Sequence, residues 1–236
     1  MNPSDPTPIR AVTPGGTAAA TPGGTAAATS GGRAAVTSGG RAAATPGRRP
    51  ITTRDEISTI AIDMFTESGF ENTSVDDIAD AAGIARRTLF RYYPSKNAIC
   101  WGDFDAHLDD MRTLLAAIPA DLPIAAALTD ALVSFNAVDD DYLEHHRRRM
   151  SLLLGVPALQ AYSMLMYAEW RRVVAEFCAR RMGLDVEEHV PQTIGWMCLG
   201  TTLAAYEQWL AHPDSDLTAL IVSGCATLAD GLGALH

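Results

Sequence analysis

The 236-residue sequence has four cysteines and no CxxC pair. Cys100, Cys178, Cys198 and Cys225 are too widely spaced to suggest a zinc ligand set or a disulfide framework, so reduced thiols are expected. At its N-terminus the sequence lacks the basic start and continuous apolar run of a secretory signal. Export by that route is excluded, and a cytoplasmic location is the expectation. Long uncharged runs are scarce: residues 151–168 are interrupted by Gly155 and Pro157, and residues 190–206 contain Gln192, Thr193, Thr201 and Thr202. Both fall short of the about 20 apolar residues that a membrane span needs, so no membrane insertion is expected.

Catalytic constellations are missing too. No motif joins a nucleophile, a base and an orienting group, and no glycine-rich phosphate loop follows a strand, so no enzyme activity, catalytic residue or cofactor is expected. His145 and His146 are adjacent and would point apart on a helix, while His107 stands alone. A metal site is not expected from such spacing. Residues 139–141, three aspartates, read as a helix start.

Hydrophobic residues make up 47% of the chain, ample for a packed core. The formal net charge is -10. It is unevenly spread: residues 1–50 carry +4, residues 51–100 carry -3 and residues 101–236 carry -11. A body this acidic repels a polyanion, so any contact with nucleic acid must be confined to a local basic surface. The stretch GIARRTLFRYYPSK, residues 83–96, is such a surface: Arg86, Arg87, Arg91 and Lys96 gather around Phe90, Tyr92 and Tyr93 without an acid among them.

Residues 1–50 form a tail with an eight-residue repeat, TPGGTAAA twice, then TSGGRAAV, TSGGRAAA and a decayed TPGRRPIT. With no large apolar side chains to bury, such a segment is expected to be disordered. It is either a basic arm, in which Arg33, Arg41, Arg48 and Arg49 add phosphate attraction, or a dispensable tail.

From Thr53 the pattern is helical to the end. Thr53 and Glu56 make a capping box, Ile57, Ile60, Ala61, Met64 and Phe65 form an apolar stripe, and Gly69 ends the first helix. Ser74 caps a second helix with Asp76 and Asp77 in its first turn and Val75, Ile78, Ala79 and Ala82 turned inward. Ala79 permits close helix approach, Gly83 suits the left-handed turn, and Ile84 and Leu89 re-enter the core. Together these predict a helix-turn-helix whose second helix spans 86–92. Arg86, Arg87, Thr88 and Arg91 then face outward, Arg and Thr being suited to base edges in the major groove, while Tyr92 and Lys96 can reach phosphates. Pro94 stops that helix and Ser95 caps the next.

The segment ISTIAIDMFTESGFENTSVDDIADAAGIARRTLFRYYPSKNAI resembles the N-terminal domain of TetR-type transcriptional regulators, with TSVDDIA, AGI and TLFRYYPSK in the family's order. The resemblance implies an all-α homodimer: a three-helix DNA-binding domain at 51–97, and a larger helical ligand-binding and dimerisation domain at 98–236. Its partners would be a double-stranded operator and a small-molecule inducer. Arg86, Arg87, Thr88, Arg91, Tyr92 and Lys96 match positions that contact DNA in relatives, and Ser74 is counted with them. Phe90 stands where the family often has Tyr, Tyr93 where it often has Phe, and Ala85 where Ser or Thr commonly caps the recognition helix. WGDFDAHLDDM, RRRMSLLLGVPALQAYSMLMYAEWRRVVAEF and AAYEQWLA are similar to the subgroup associated with mycofactocin biosynthesis gene clusters. That likeness implies repression of genes for a peptide-derived redox cofactor.

In the body, Trp101, Phe104, Leu108, Met111 and Leu115 step by three and four, predicting one helix from Ser95 toward Pro119. Further helices are expected at 123–137, 141–154, 157–183, 191–211 and 215–235, with Asp141 and Glu144 as a capping box. The last two are apolar nearly all round, which favours a dimer bundle, and Gly195, Gly200, Ala204, Ser223, Gly224 and Gly231 permit close approach. Met150, Leu153, Leu154, Tyr162, Leu165, Met166, Trp170 and Trp196 are either a ligand pocket or ordinary core. Arg147, Arg148 and Arg149, with Arg171 and Arg172, are either receptors for an anionic head, such as that of acyl-coenzyme A, or a solvated face paired with acids. A helical acyl-ligand-binding protein without specific DNA binding is the competing class, and an activator using the same DNA domain stays open.

Overall fold

A computed structural model of the chain describes residues 53–231. The tail and the end of the last expected helix lie outside the described residues. Among the described residues there are ten α-helices, one 3-10 turn and no strand.

Three short helices come first. α1 (Arg54–Ser68) starts at the expected capping box, the Thr53 side chain accepting from the Glu56 amide and the Glu56 carboxylate accepting from the Thr53 amide. It buries Ile57, Ser58, Ala61, Ile62 and Phe65, so its inner face is set slightly off the expected stripe, with Ile60 and Met64 only partly covered. α2 (Val75–Ala82) starts at a second capping box between Ser74 and Asp77. α3 (Arg86–Tyr92) follows after Gly83, and buries Leu89.

The expected single helix from Ser95 toward Pro119 is in fact two. α4 (Lys96–Ile99) is one turn long, and α5 (Phe104–Ala117) begins after a break at residues 100–103. The break has a tertiary cause. Gly102 adopts φ +61°, and a Cβ placed there would lie 2.7 Å from Asp55 Oδ1 of α1. The same carboxylate accepts from the Asp103 amide at 3.2 Å, and Asp103 pairs with Arg54 at 3.0 Å. Side chains of α1 thus hold the chain in a turn where local pattern alone favours a helix.

The body comprises α5, α6 (Ile124–Phe135), α7 (Leu143–Gly155), α8 (Pro157–Met182), α9 (His189–Ala211) and α10 (Leu217–Asp230). The Asp141–Glu144 capping box does not form: residues Asp140–Tyr142 make a 3-10 turn, no side chain caps α7, and Glu144 pairs with Arg148 four residues on. That i,i+4 pair competes successfully for the carboxylate. Two glycines meet the sequence expectation of close helix approach. A Cβ at Gly195 would lie 3.0 Å from the Arg171 carbonyl of α8, and one at Gly224 would lie 2.4 Å from Thr201 Cγ2 of α9. Gly200 faces open space. Among the described residues no single helix is long and apolar enough to cross a membrane.

Candidate nucleic-acid interface and ligand cavity

The turn between α2 and α3 is set by backbone geometry. Gly83 takes φ 69° and ψ 28°, its amide donates to the carbonyls of Ala79 and Asp80, and the Ile84 amide donates back to Ala79 at 3.0 Å. This closes α2 in the manner of a Schellman end and turns the chain sharply. Ala79, Ala82 and Leu89 are buried at the crossing of the two helices. α3 opens at Ala85 without a side-chain cap, and the Ala85 carbonyl instead receives the amides of Thr88 at 2.7 Å and Leu89 at 3.2 Å.

With Leu89 inward, Arg86, Arg87, Phe90 and Arg91 are exposed and Thr88 is half-buried. The four expected cations are not equivalent. Arg86 pairs with Asp76 of α2 at 2.5 Å and lies 5.5 Å from the centre of the Phe90 ring. Both members of that pair are well solvated, so the bridge holds a direction more than it adds stability. Arg87 and Arg91 have no acidic partner among the described residues, and Arg91 stacks 5.4 Å from the Tyr92 ring. Both are exposed on the outer side of α3.

Lys96 is placed differently from the outward orientation suggested by its sequence position. Its ammonium donates to the carbonyls of Phe70 at 2.5 Å and Thr73 at 3.0 Å and sits 4.1 Å from the Phe70 ring centre. It closes the loop between α1 and α2. Ser74 is exposed, but its hydroxyl is engaged with Asp77. Tyr93, at a position where a hydroxyl departs from the family pattern, is buried and donates that hydroxyl to the Arg54 carbonyl at 2.6 Å, tying the end of α3 to the start of α1. Burial raises its pKa well above the ordinary tyrosine range.

The apolar residues expected to form either a ligand pocket or ordinary core differ in burial. Met150, Leu153 and Trp170 belong to the buried core, Leu154, Tyr162 and Met166 are half-buried, and Leu165 and Trp196 are exposed. Trp196 covers the Arg171 guanidinium at 3.4 Å. Of the arginine triplet, Arg147 and Arg148 line one cavity with Phe65, Thr66, Ser151 and Leu210, whereas Arg149 does not. Arg147 stacks on Trp209 at 3.9 Å and donates to its carbonyl at 2.6 Å, Arg148 pairs with Glu144 and Asp63, and Arg149 is turned inward near Asp55 and Tyr206. Arg172 pairs with Glu176 and Glu187.

An apolar cleft lies elsewhere, between α6, the end of α8, α9 and α10, with a volume of about 330 Å³. None of the expected pocket residues lines it. Its walls come from positions as distant as Leu128 and Leu228, so no local pattern could have revealed it. Among the described residues no group of three His, Cys, Asp or Glu side chains could hold a metal ion.

Comparison with known proteins places these features in context. Residues 57–100 match the family model described as bacterial regulatory proteins, tetR family, and residues 122–233 match the MftR C-terminal domain. The chain is similar to the Mycobacterium tuberculosis protein that carries the name mycofactocin biosynthesis transcriptional regulator MftR. The two are 49% identical over 185 residues, 78% of this chain and 93% of the relative. The fold is similar to that of the fatty acid degradation regulator FadR from Bacillus halodurans, with a TM-score of 0.54 at 17% identity, covering 79% of this chain and 98% of that one. It is also similar to Thermus thermophilus FadR, solved in complex with lauroyl-CoA, with a TM-score of 0.50 at 20% identity over 76% of this chain and 94% of that one.

Proposed function

Since the chain belongs to the TetR family of bacterial transcriptional regulators, we propose that it is a homodimeric repressor that a small apolar or amphipathic ligand releases from its operator. The observation that carries this reading is the α2–turn–α3 unit, which presents Arg87 and Arg91 without acidic partners among the described residues, on a chain of net charge -10. A local cationic face on an acidic body suits a duplex approached in one orientation only. Arg87 and Arg91 read base edges or phosphates, Arg86 and Thr88 flank them, and Tyr92 reaches the backbone. Ser74 and Lys96 act first by shaping the loop and helix that carry the face. Residues 51–97 serve as the DNA-binding domain and residues 98–236 as the regulatory one.

A second copy completes the reader. α9 and α10 expose Gly200, Ala204, Val222, Ser223, Ala226 and Thr227, an uncharged and mostly small surface suited to helix packing across a two-fold axis. Two recognition helices then address half-sites about 34 Å apart or a multiple of that. Ligand binding favours a dimer whose spacing no longer matches, and operator affinity falls. The likeness to the mycofactocin regulator supports a mycofactocin gene cluster as the regulated locus. The likeness to a FadR solved with lauroyl-CoA supports an acyl-coenzyme A as the ligand class. We assign the protein no catalytic role.

Binding of the full chain to labelled DNA from upstream of its own and neighbouring genes, against scrambled DNA at several salt concentrations, tests the reading. Preference for the genomic fragment, weakened by about 1–3 kcal/mol in Arg87→Ala, is the expected result. Equal, weak binding to both DNAs would leave only a basic surface and favour an acyl-ligand-binding protein instead.

A further inference from the structure

Among the described residues of α1 to α4, Phe90 is the one large apolar side chain left exposed, with 41% of its surface open. Ile57, Ile62, Phe65, Ile78, Leu89 and Ile99 of the same helices are buried. Phe90 stands on α3 three residues after Arg87 and four after Arg86, so it shares a flank with both.

That flank is nearly neutral. The Arg86 guanidinium lies 5.5 Å from the centre of the Phe90 ring and is paired with Asp76 of α2 at 2.5 Å. Asp76, Arg86 and Phe90 thus make a patch without net charge beside Arg87 and Arg91, which have no acidic partner among the described residues. Arg86, pinned by Asp76, rests against the ring and limits its rotation, so the ring is held before DNA arrives.

An exposed phenyl on a DNA-facing helix needs an apolar partner. Pressed against a phosphate it would strip water from a charge and give no hydrogen bond in return. Phe90 has no hydroxyl to offer a backbone oxygen, as a tyrosine at this place would have. The apolar group that base edges present in the major groove is the C5-methyl of thymine. Spacing narrows the choice further. Side chains three or four apart on a helix have Cβ atoms about 5–6 Å apart, whereas successive bases of one strand rise about 3.4 Å. The thymine therefore stands one or two steps from the base pair that Arg87 addresses.

We infer that Phe90 is a specificity-determining residue that reads a thymine methyl group in each operator half-site, held in place by the Asp76–Arg86 pair. The inference rests on the reading of the chain as an operator-binding regulator, and adds the base that this flank of α3 selects.

The test uses the full chain and duplexes that it selects from a randomised pool, so no operator need be known beforehand. Each thymine of one half-site is then replaced in turn by uracil, which pairs identically but lacks the C5-methyl. For the natural chain, uracil at one such position should weaken binding about fourfold, the worth of one methyl-sized group returned to water. Phe90→Ala and Phe90→Gln, changed at an exposed position, should fold as the natural chain does, as thermal unfolding will report. Each should bind the selected duplex about tenfold less tightly, because both half-sites lose the contact. Neither should respond to the uracil by more than about 1.5-fold, the mark of two changes that share one contact. Their slope of affinity against salt should match that of the natural chain, since no phosphate contact is removed. Either folded variant decides the question. Uracil that costs the natural chain and a folded variant equally, or no thymine at which it costs anything, overturns the inference and leaves the regulator standing. A pool from which no sequence is enriched overturns both.

Discussion

The Lys96 ammonium donates to the Thr73 carbonyl at 3.0 Å, across the loop that joins α1 to α2. With the Phe70 carbonyl as second acceptor and the Phe70 ring beneath it, this cation, the only lysine in the sequence, is part of the scaffold behind the recognition helix. Lys96→Met should therefore lower the unfolding free energy by about 1–3 kcal/mol, the range for losing hydrogen bonds from a charged group. At a temperature where the variant is folded, the dependence of operator affinity on salt should be unchanged. A slope reduced by about 0.9 per protomer would instead mark Lys96 as a phosphate contact.

A second expectation concerns acid. His146 bonds the Tyr206 hydroxyl at 2.8 Å, Tyr206 in turn donates to Asn136 at 2.9 Å, and burial, helped by Arg149 and His145, lowers the His146 pKa to about 4. The folded state disfavours the proton that the unfolded chain takes up near pH 6.5. The neutral imidazole's contribution is thus whole above pH 6.5 and is lost as pH falls toward 4, on the order of 3 kcal/mol in all. His146→Gln keeps a hydrogen-bonding group but cannot titrate. Its unfolding free energy should fall less steeply than that of the natural chain between pH 6.5 and 4, and parallel curves would place the acid sensitivity elsewhere.

What the sequence disclosed and what it concealed divide by range. The box at Thr53, the cap at Ser74, the left-handed Gly83 and the inward Leu89 are set by neighbours within a few residues, and spacing reveals them. The inward turn of Lys96 depends on carbonyls 23 and 26 residues away, and the break before α5 on Asp55, 48 residues from Asp103. Neither leaves a local trace. The expected ligand cluster drew mostly on residues near one another in sequence, such as Met150, Leu154 and Tyr162, whereas the cleft is assembled from four helices between residues 124 and 229. Helical periodicity identifies a buried face without naming the helix that will cover it.

The repeat-bearing tail makes a separable prediction. It lies outside both stretches that the family models match, residues 57–100 and 122–233. Replacing Arg33, Arg41, Arg48 and Arg49 with Gln in the full chain removes charge without altering the recognition helix. If the tail is a basic arm, the slope of affinity against salt becomes shallower by about 0.9 for each arginine that reached a phosphate, and preference for the operator over scrambled DNA is kept. An unaltered slope would show that the tail is dispensable for DNA contact.

The joint between α4 and α5 links the DNA-reading helices to the body, and Gly102 is where it can be tested. At φ +61° a side chain is strained, and the new Cβ would lie 2.7 Å from Asp55 Oδ1. Gly102→Ala should destabilise the fold by about 1–3 kcal/mol, part from the backbone and part from displacing the carboxylate that holds the Asp103 amide. Asp55→Ala alone should also cost stability, since Asp55 is the charge that most favours the inward Arg149 guanidinium. The two changes share one contact, so the double variant should be more stable than the sum of the single effects predicts, by at least about 0.5 kcal/mol. Strict additivity in chemical denaturation would mean that Gly102 is needed for its φ alone, and that Asp55 does not fix the joint.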